Sequence, residues 1–116
     1  MKFEQLDEFE KDLKRLRKKY RSLEDDVDII KKVLAVFPHA RPPFSFRMDG
    51  YGGSIQLIKV RKIACMSMKG KGVNSGLRMI YDWRSLENRI TLIELYFKGE
   101  KENEDSERIR RFYSQK

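Results

Sequence analysis

The chain has one cysteine, one histidine, one tryptophan and three prolines among 116 residues. A single thiol, Cys65, excludes a disulfide framework and a four-thiolate zinc site, and it fits a reducing, cytoplasmic compartment. The lone His39 sits in a proline-containing segment, while Cys65 lies in strand-like sequence. The expected role of Cys65 is therefore a buried structural thiol, and neither a Ser-His-Asp nor a Cys-His catalytic unit is expected. No HxH, CxxC or carboxylate cluster has ligand spacing, so neither a metal nor another cofactor is predicted. Long apolar runs are missing too. Nothing approaches the roughly 18 residues of a membrane span, and Met1-Lys2-Phe3-Glu4 lacks the apolar stretch of a signal peptide, so none is expected.

The most informative absence is of negative charge along one stretch. Overall, 26 Lys+Arg stand against 18 Asp+Glu, a formal net charge of +8. Between Asp49 and Asp82 there is no carboxylate, yet this window holds Lys59, Arg61, Lys62, Lys69, Lys71 and Arg78. An unbalanced basic stretch of this kind predicts an anion-binding surface. A denser run, Lys11 to Arg21, is flanked by Glu4, Asp7, Glu8, Glu10, Asp12 and Glu24 to Asp28. These neighbours are expected to neutralise it and leave a solvated helix face.

The length predicts one domain over 1–116, exposing about 6,700 Å² when folded. A short strand is expected over 2–6. Asp7 with Glu10 reads as a capping box, followed by an apolar stripe of Phe9, Leu13, Leu16 and Tyr20. Ser22 with Asp25 marks a second helix start, and Leu23, Val27, Ile30 and Leu34 carry that helix to about Val36. Residues 37–54, with all three prolines, read as connection. Period-two patterning then predicts strands over 55–65, 77–84 and 90–97, with a phase slip between Leu57 and Ile58 that fits a bulge. Ile109 and Phe112 are anchors for a possible C-terminal helix. The expected fold is α+β, two antiparallel helices on one face of a small antiparallel sheet.

Lys59, Arg61 and Lys62 on one strand, Arg78 on the next and Lys98 at the end of the third can converge on one patch. Tyr51, Tyr81, Trp83, Tyr96 and Tyr113 supply rings for base stacking. The Gly70-Lys71-Gly72 loop lacks P-loop spacing and reads as a basic hairpin tip or a plain connection. Glu94, inside the most apolar strand, is expected to be a paired structural carboxylate rather than a general acid. Cations alone can cleave RNA. A base takes the 2′-hydroxyl proton, a cation stabilises charge on phosphorus, and an acid protonates the leaving oxygen.

Phe9-Glu10-Lys11-Asp12-Leu13-Lys14-Arg15-Leu16, then Val60-Arg61-Lys62-Ile63, Gly76-Leu77-Arg78-Met79-Ile80-Tyr81 and Leu95-Tyr96-Phe97-Lys98 together resemble the RelE/ParE superfamily of bacterial toxin–antitoxin modules. The RelE-like and HigB-like branch is the nearest. The resemblance implies a RelE-like fold and a ribosome-dependent mRNA endoribonuclease. It also implies a cognate antitoxin, with the ribosome and mRNA as partners. By position it assigns Lys62, Arg78 and Lys98 to catalysis: Arg78 to the phosphate, Lys62 as base or electrostatic partner, and Lys98 as acid or phosphate contact. Lys59, Arg61, Lys69 and Lys71 would then contact RNA. The chain departs from the family at Ala64 and Gly99, where basic residues are often found. Asp105 stands near the family's C-terminal tyrosine position, and Tyr113 lies too far along to match it. A ParE-like, non-catalytic inhibitor of DNA gyrase and an RNA-binding domain without nuclease activity are the alternatives.

Overall fold

The computed structural model describes residues 1–114. In chain order the elements are β1 (Lys2–Gln5), α1 (Asp7–Leu16), α2 (Leu23–Val36), β2 (Ser45–Arg47), β3 (Leu57–Val60), β4 (Leu77–Arg84), β5 (Arg89–Phe97) and α3 (Ser106–Ser114). A 3-10 turn, Ser85–Glu87, joins β4 to β5, and its last step uses Asn88 at a φ of 49°. Among the described residues, five strands form one sheet in the order β1-β5-β4-β3-β2. The folded surface is 7009 Å², close to the size expectation.

The α+β class stands, with corrections to its details. The sheet is mixed, because β1 pairs in parallel with β5 at one edge. A short strand, β2, lies inside the proline-containing connection and pairs with β3. The strand expected over 55–65 ends at Val60, and beyond it Ile63 makes a lone parallel bridge to Asn74. The expected capping box does not form. Leu6 occupies the N-cap of α1 without a side-chain bond, so Asp7 falls in the first turn. There, with Glu8 and Glu10, it complements the helix dipole.

Leu57 and Ile58 are both buried, on opposite faces of β3. Their apparent phase slip is therefore that of a strand covered on both sides. The actual register shift lies between β4 and β5, where Ile80 pairs with Glu94 but Tyr81 pairs with Leu92. Ile93 is the extra residue of this bulge. One face, with Ile58, Val60, Leu77, Met79, Tyr81, Ile90, Leu92 and Leu95, packs on Phe9, Leu16, Leu23, Val27, Ile30 and Leu34 of α1 and α2. The other face carries a smaller cluster of Leu57, Ile80, Ile93, Tyr96 and Ile109, flanked by Phe112 and Tyr113 of α3. The helices are thus divided between the two faces, against the one-face expectation. Because α3 covers only part of its face, the remainder is free to carry the polar site.

Candidate nucleic-acid interface

The uncovered end of the α3 face holds an open cleft of about 380 Å³. Lys59, Arg61, Arg78 and Lys98 line it with the rings of Phe46 and Tyr96. The register accounts for the convergence. Arg78 on β4 is the cross-strand partner of Tyr96 on β5. Lys59 on β3 sits opposite Ile80 and Phe46. Alternation along each strand then points these side chains to one side. Gly76 precedes β4 and is bonded to the backbone of Lys98. Its φ of 84° is a left-handed conformation open to glycine, and its carbonyl accepts the Lys98 amide at 2.8 Å.

Arg78 is braced from below. Its Nη1 donates to the Arg61 carbonyl at 3.0 Å and to the Leu77 carbonyl at 3.3 Å. Arg61 stacks over Phe46 at 5.4 Å. Desolvation and then the Arg61 charge lower the pKa of Arg78, against a smaller opposing effect of Tyr96. An arginine stays cationic under such a shift, so its meaning is electrostatic: two guanidiniums share a pocket where an anion would relieve their repulsion. Among the described residues Arg61, Arg78 and Lys98 form no salt bridge, whereas Lys59 meets Glu104 at 2.6 Å. Burial opposes the charge on Lys59, but contact with Glu104 and the influence of Tyr96 outweigh it and raise its pKa. Burial pushes the Tyr96 hydroxyl up, although Lys59 acts in the opposite sense.

Four of the seven residues singled out in the sequence therefore line the cleft, and three do not. Lys62 is exposed on the segment after β3, where its Nζ reaches Asn74 Oδ1 at 3.5 Å. Lys69 and Lys71 are exposed on the glycine-containing loop beyond it. A hydroxyl network pins the start of that loop. Ser67 Oγ and Ser22 Oγ lie 2.8 Å apart, Ser22 Oγ donates to Asp26 Oδ2 at 2.7 Å, and the Met66 amide donates to Asp26. Cys65 is buried beside it, 3.8 Å from Ser22, and burial raises its pKa. His39 stacks edge-on against Trp83 instead.

Of the segment after β5, the sequence-based site held only Lys98. Glu102 and Asn103 line the cleft, and Glu104 pairs with its lining residue Lys59. Buried Glu94 holds this segment: Lys101 Nζ pairs with it, and the Asp105 amide donates to it at 2.8 Å. The alternating carboxylates Glu100, Glu102 and Glu104 were the available signal. Asp105 caps α3 by accepting the Arg108 amide at 3.0 Å. Tyr113 lies away from the cleft and donates to Asp82 at 2.6 Å.

The basic run 11–21 is also less neutralised than its neighbours imply. Asp12 is buried against Arg108, Asp26 serves the Met66 amide and Ser22, Glu8 meets Arg108 and Arg111, and Glu4 meets Arg89. The run itself keeps Arg17–Glu24 and weak contacts of Arg15 and Lys19 with Glu100. Lys14, Lys18 and Arg21 form no salt bridge among the described residues. Arg17, Lys18 and Arg21 line a shallow cleft at the α1–α2 turn with Glu24.

Among the described residues, no group of three or more His, Cys, Asp or Glu side chains could hold a metal ion, and no helix is long and apolar enough to cross a membrane. No family model matches the chain, and no curated protein matches it by sequence. Its fold is similar to that in the crystal structure of a metal-bound toxin from Helicobacter pylori. The two share 21% identity over 87% of this chain and 98% of that one, with a TM-score of 0.58. At that identity the likeness concerns the fold.

Proposed function

We propose that the protein is a toxin of the RelE/HigB type, an endoribonuclease that cuts translated mRNA on the ribosome and is held in check by a cognate antitoxin. The observation that carries this reading is the convergence of Lys59, Arg61, Arg78 and Lys98 with two aromatic rings in one open cleft. The fold it shares with a toxin of known structure supports it, as do the motifs and their order in the sequence.

In this reading an RNA phosphate sits against Arg78 and Arg61, and a base stacks on Tyr96 or Phe46. The 2′-oxygen attacks phosphorus, the bond to the 5′-oxygen breaks, and a 2′,3′-cyclic phosphate and a 5′-hydroxyl are the products. The guanidiniums stabilise the extra negative charge on the pentacoordinate phosphorus. Lys98, a lysine of the cleft without a carboxylate partner, is assigned as the acid whose ammonium protonates the departing 5′-oxygen, while the 2′-hydroxyl proton passes to solvent water. Lys62, Lys69 and Lys71 are assigned to more distant phosphates, together with the free cations of the α1–α2 turn.

The test is to induce the protein in cells and map mRNA 5′ ends and DNA breaks together. In-frame, translation-dependent cuts in mRNA are expected. Broken DNA with intact mRNA would transfer the protein to the gyrase-inhibiting class, and neither lesion would leave an RNA-binding module.

A further inference from the structure

Glu104 is a carboxylate held against Lys59 at the wall of a cleft whose lining has four cations, Lys59, Arg61, Arg78 and Lys98, and one carboxylate, Glu102. Its partner Lys59 is one-fifth exposed, as is Glu104 itself. The Glu104 Oε1 is buried and meets the ammonium as an ion pair without a well-aligned hydrogen bond. The backbone on either side cannot easily withdraw, since Lys101 and the Asp105 amide both bind Glu94 and Asp105 caps α3. The Glu104 side chain is the free part, and a change of rotamer is enough to take its carboxylate off Lys59.

Lys59 lies one strand across and two residues along from Arg78, which puts their Cα atoms roughly 8 Å apart. That is the scale of one nucleotide step. We propose that the Lys59 ammonium is a second phosphate subsite of the cleft, and that in the free protein Glu104 occupies it as an internal anion which RNA must displace. The inference rests on the RNA-cleaving reading of the same cleft. It makes Glu104 a built-in competitor that selects for ligands with at least two linked phosphates. A single phosphate on Arg78 leaves the Lys59–Glu104 pair intact, whereas the next phosphate along the chain reaches Lys59.

The experiment compares wild type with Glu104→Gln, Lys59→Met and the double variant, and with Glu107→Gln on exposed α3 as a control for bulk charge. Thermal melting establishes that each is folded. Two probes are used: a 2′-O-methyl oligoribonucleotide, which cannot be cleaved, and inorganic pyrophosphate, followed by the amide shifts of Lys59 and Tyr96. Glu104→Gln is expected to bind the oligonucleotide several-fold more tightly. Its slope of log affinity against log salt should steepen by about 0.7, the signature of one added single-strand phosphate contact. Glu107→Gln should stay within twofold of wild type, and Lys59→Met should abolish the Glu104 effect. Equal gains in Glu104→Gln and Glu107→Gln, or a gain that persists without Lys59, would overturn the subsite. Pyrophosphate binding at Lys59 with no binding of the oligonucleotide by any variant would keep the anion subsite and discard RNA as its ligand.

Discussion

Asp12 on α1 and Arg108 on α3, 96 positions apart in sequence, meet across the open edge of β5. Arg108 Nη1 lies 2.7 Å from Asp12 Oδ2, and Nη2 lies 3.2 Å from Oδ1. The pair completes the bulge at Ile93. The Leu95 amide donates to Asp12 at 3.0 Å, and the Ile93 carbonyl accepts from Arg108 at 2.9 Å. Parallel pairing with β1 ends at Leu92, so these two side chains take over where the neighbouring strand stops.

Removing the carboxylate alone should therefore be severe. Asp12→Ala leaves a mostly buried guanidinium with only the longer contacts to Glu8 and Asp105 and its bond to the Ile93 carbonyl, and a backbone amide without its acceptor, a combination worth about 3 kcal/mol, the low end for a broken buried pair. Urea denaturation checks the value. The double variant Asp12→Leu with Arg108→Met should recover much of the loss, because it removes both charges together.

Arg78→Ala should lower RNA cleavage by roughly 100-fold or more, the usual effect of removing a preorganised donor from a developing oxyanion. Its bonds go to two carbonyls at the cleft wall, so the melting temperature should move by only a few degrees. Primer extension on a translated transcript, beside a melting curve, reads both. Unaltered cleavage would take Arg78 out of the site.

Lys62 and Arg61 are adjacent in sequence but not equivalent in space. Lys62→Ala should change cleavage less than threefold, an exposed phosphate contact at most, while Arg61→Ala should cost more than tenfold. The inverse ranking would return Lys62 to the catalytic role that the family resemblance assigns to it.

The Lys59–Glu104 pair should appear in the pH dependence of stability. Burial tends to raise the Glu104 pKa, but contact with Lys59 prevails and the folded value lies below the ordinary one. A depressed carboxylate contributes stability that is fully present above its unfolded pKa, about 4.3. That stability is lost as pH falls through the folded value. Glu104→Gln should thus be less stable than wild type at pH 6, and the gap should close as pH falls from about 4.3 through the lower folded value. Urea midpoints across that range test the sign.

The free cations at the α1–α2 turn are expected to add to RNA or ribosome association without touching chemistry. Replacing Lys18 and Arg21 by alanine should flatten the salt slope of binding by roughly 1.5, with single-turnover cleavage of saturating substrate unchanged. A loss of turnover at saturation would place the turn inside the reaction.

Much of the fold was legible because its signals are local. Phe9, Leu16, Leu23 and Leu34 fall at helical spacing, and all are buried. The alternation of Leu77, Met79, Tyr81 and Trp83 marks one face of β4 as expected. What escaped was pairing. Three residues at Ser45–Arg47 carry no periodicity, and only contact with β3 makes them a strand. The cleft was half legible for the same reason. Strand alternation brings Lys59 and Arg78 to one side, and Arg61, the first residue past β3, keeps that side, but Lys62, one residue further from the end of the strand, leaves the patch. Glu94 matched its expectation as a paired structural carboxylate.

By itself the sequence determined the helical and strand periodicities, the basic window without carboxylates, and the absence of thiol pairs or metal-ligand spacing. These are properties of neighbours along a chain, and local sterics and hydrophobic patterning are enough to express them. Tertiary structure alone decided where each charge is spent. Asp12 and Asp26 stand beside the basic run 11–21 in sequence, yet their carboxylates are buried against Arg108 and the Met66 amide. Glu104, more than twenty residues beyond the acid-free window, folds back onto its first lysine. A buried charge must find a partner within contact distance, and contact distance is a property of the fold rather than of spacing along the chain.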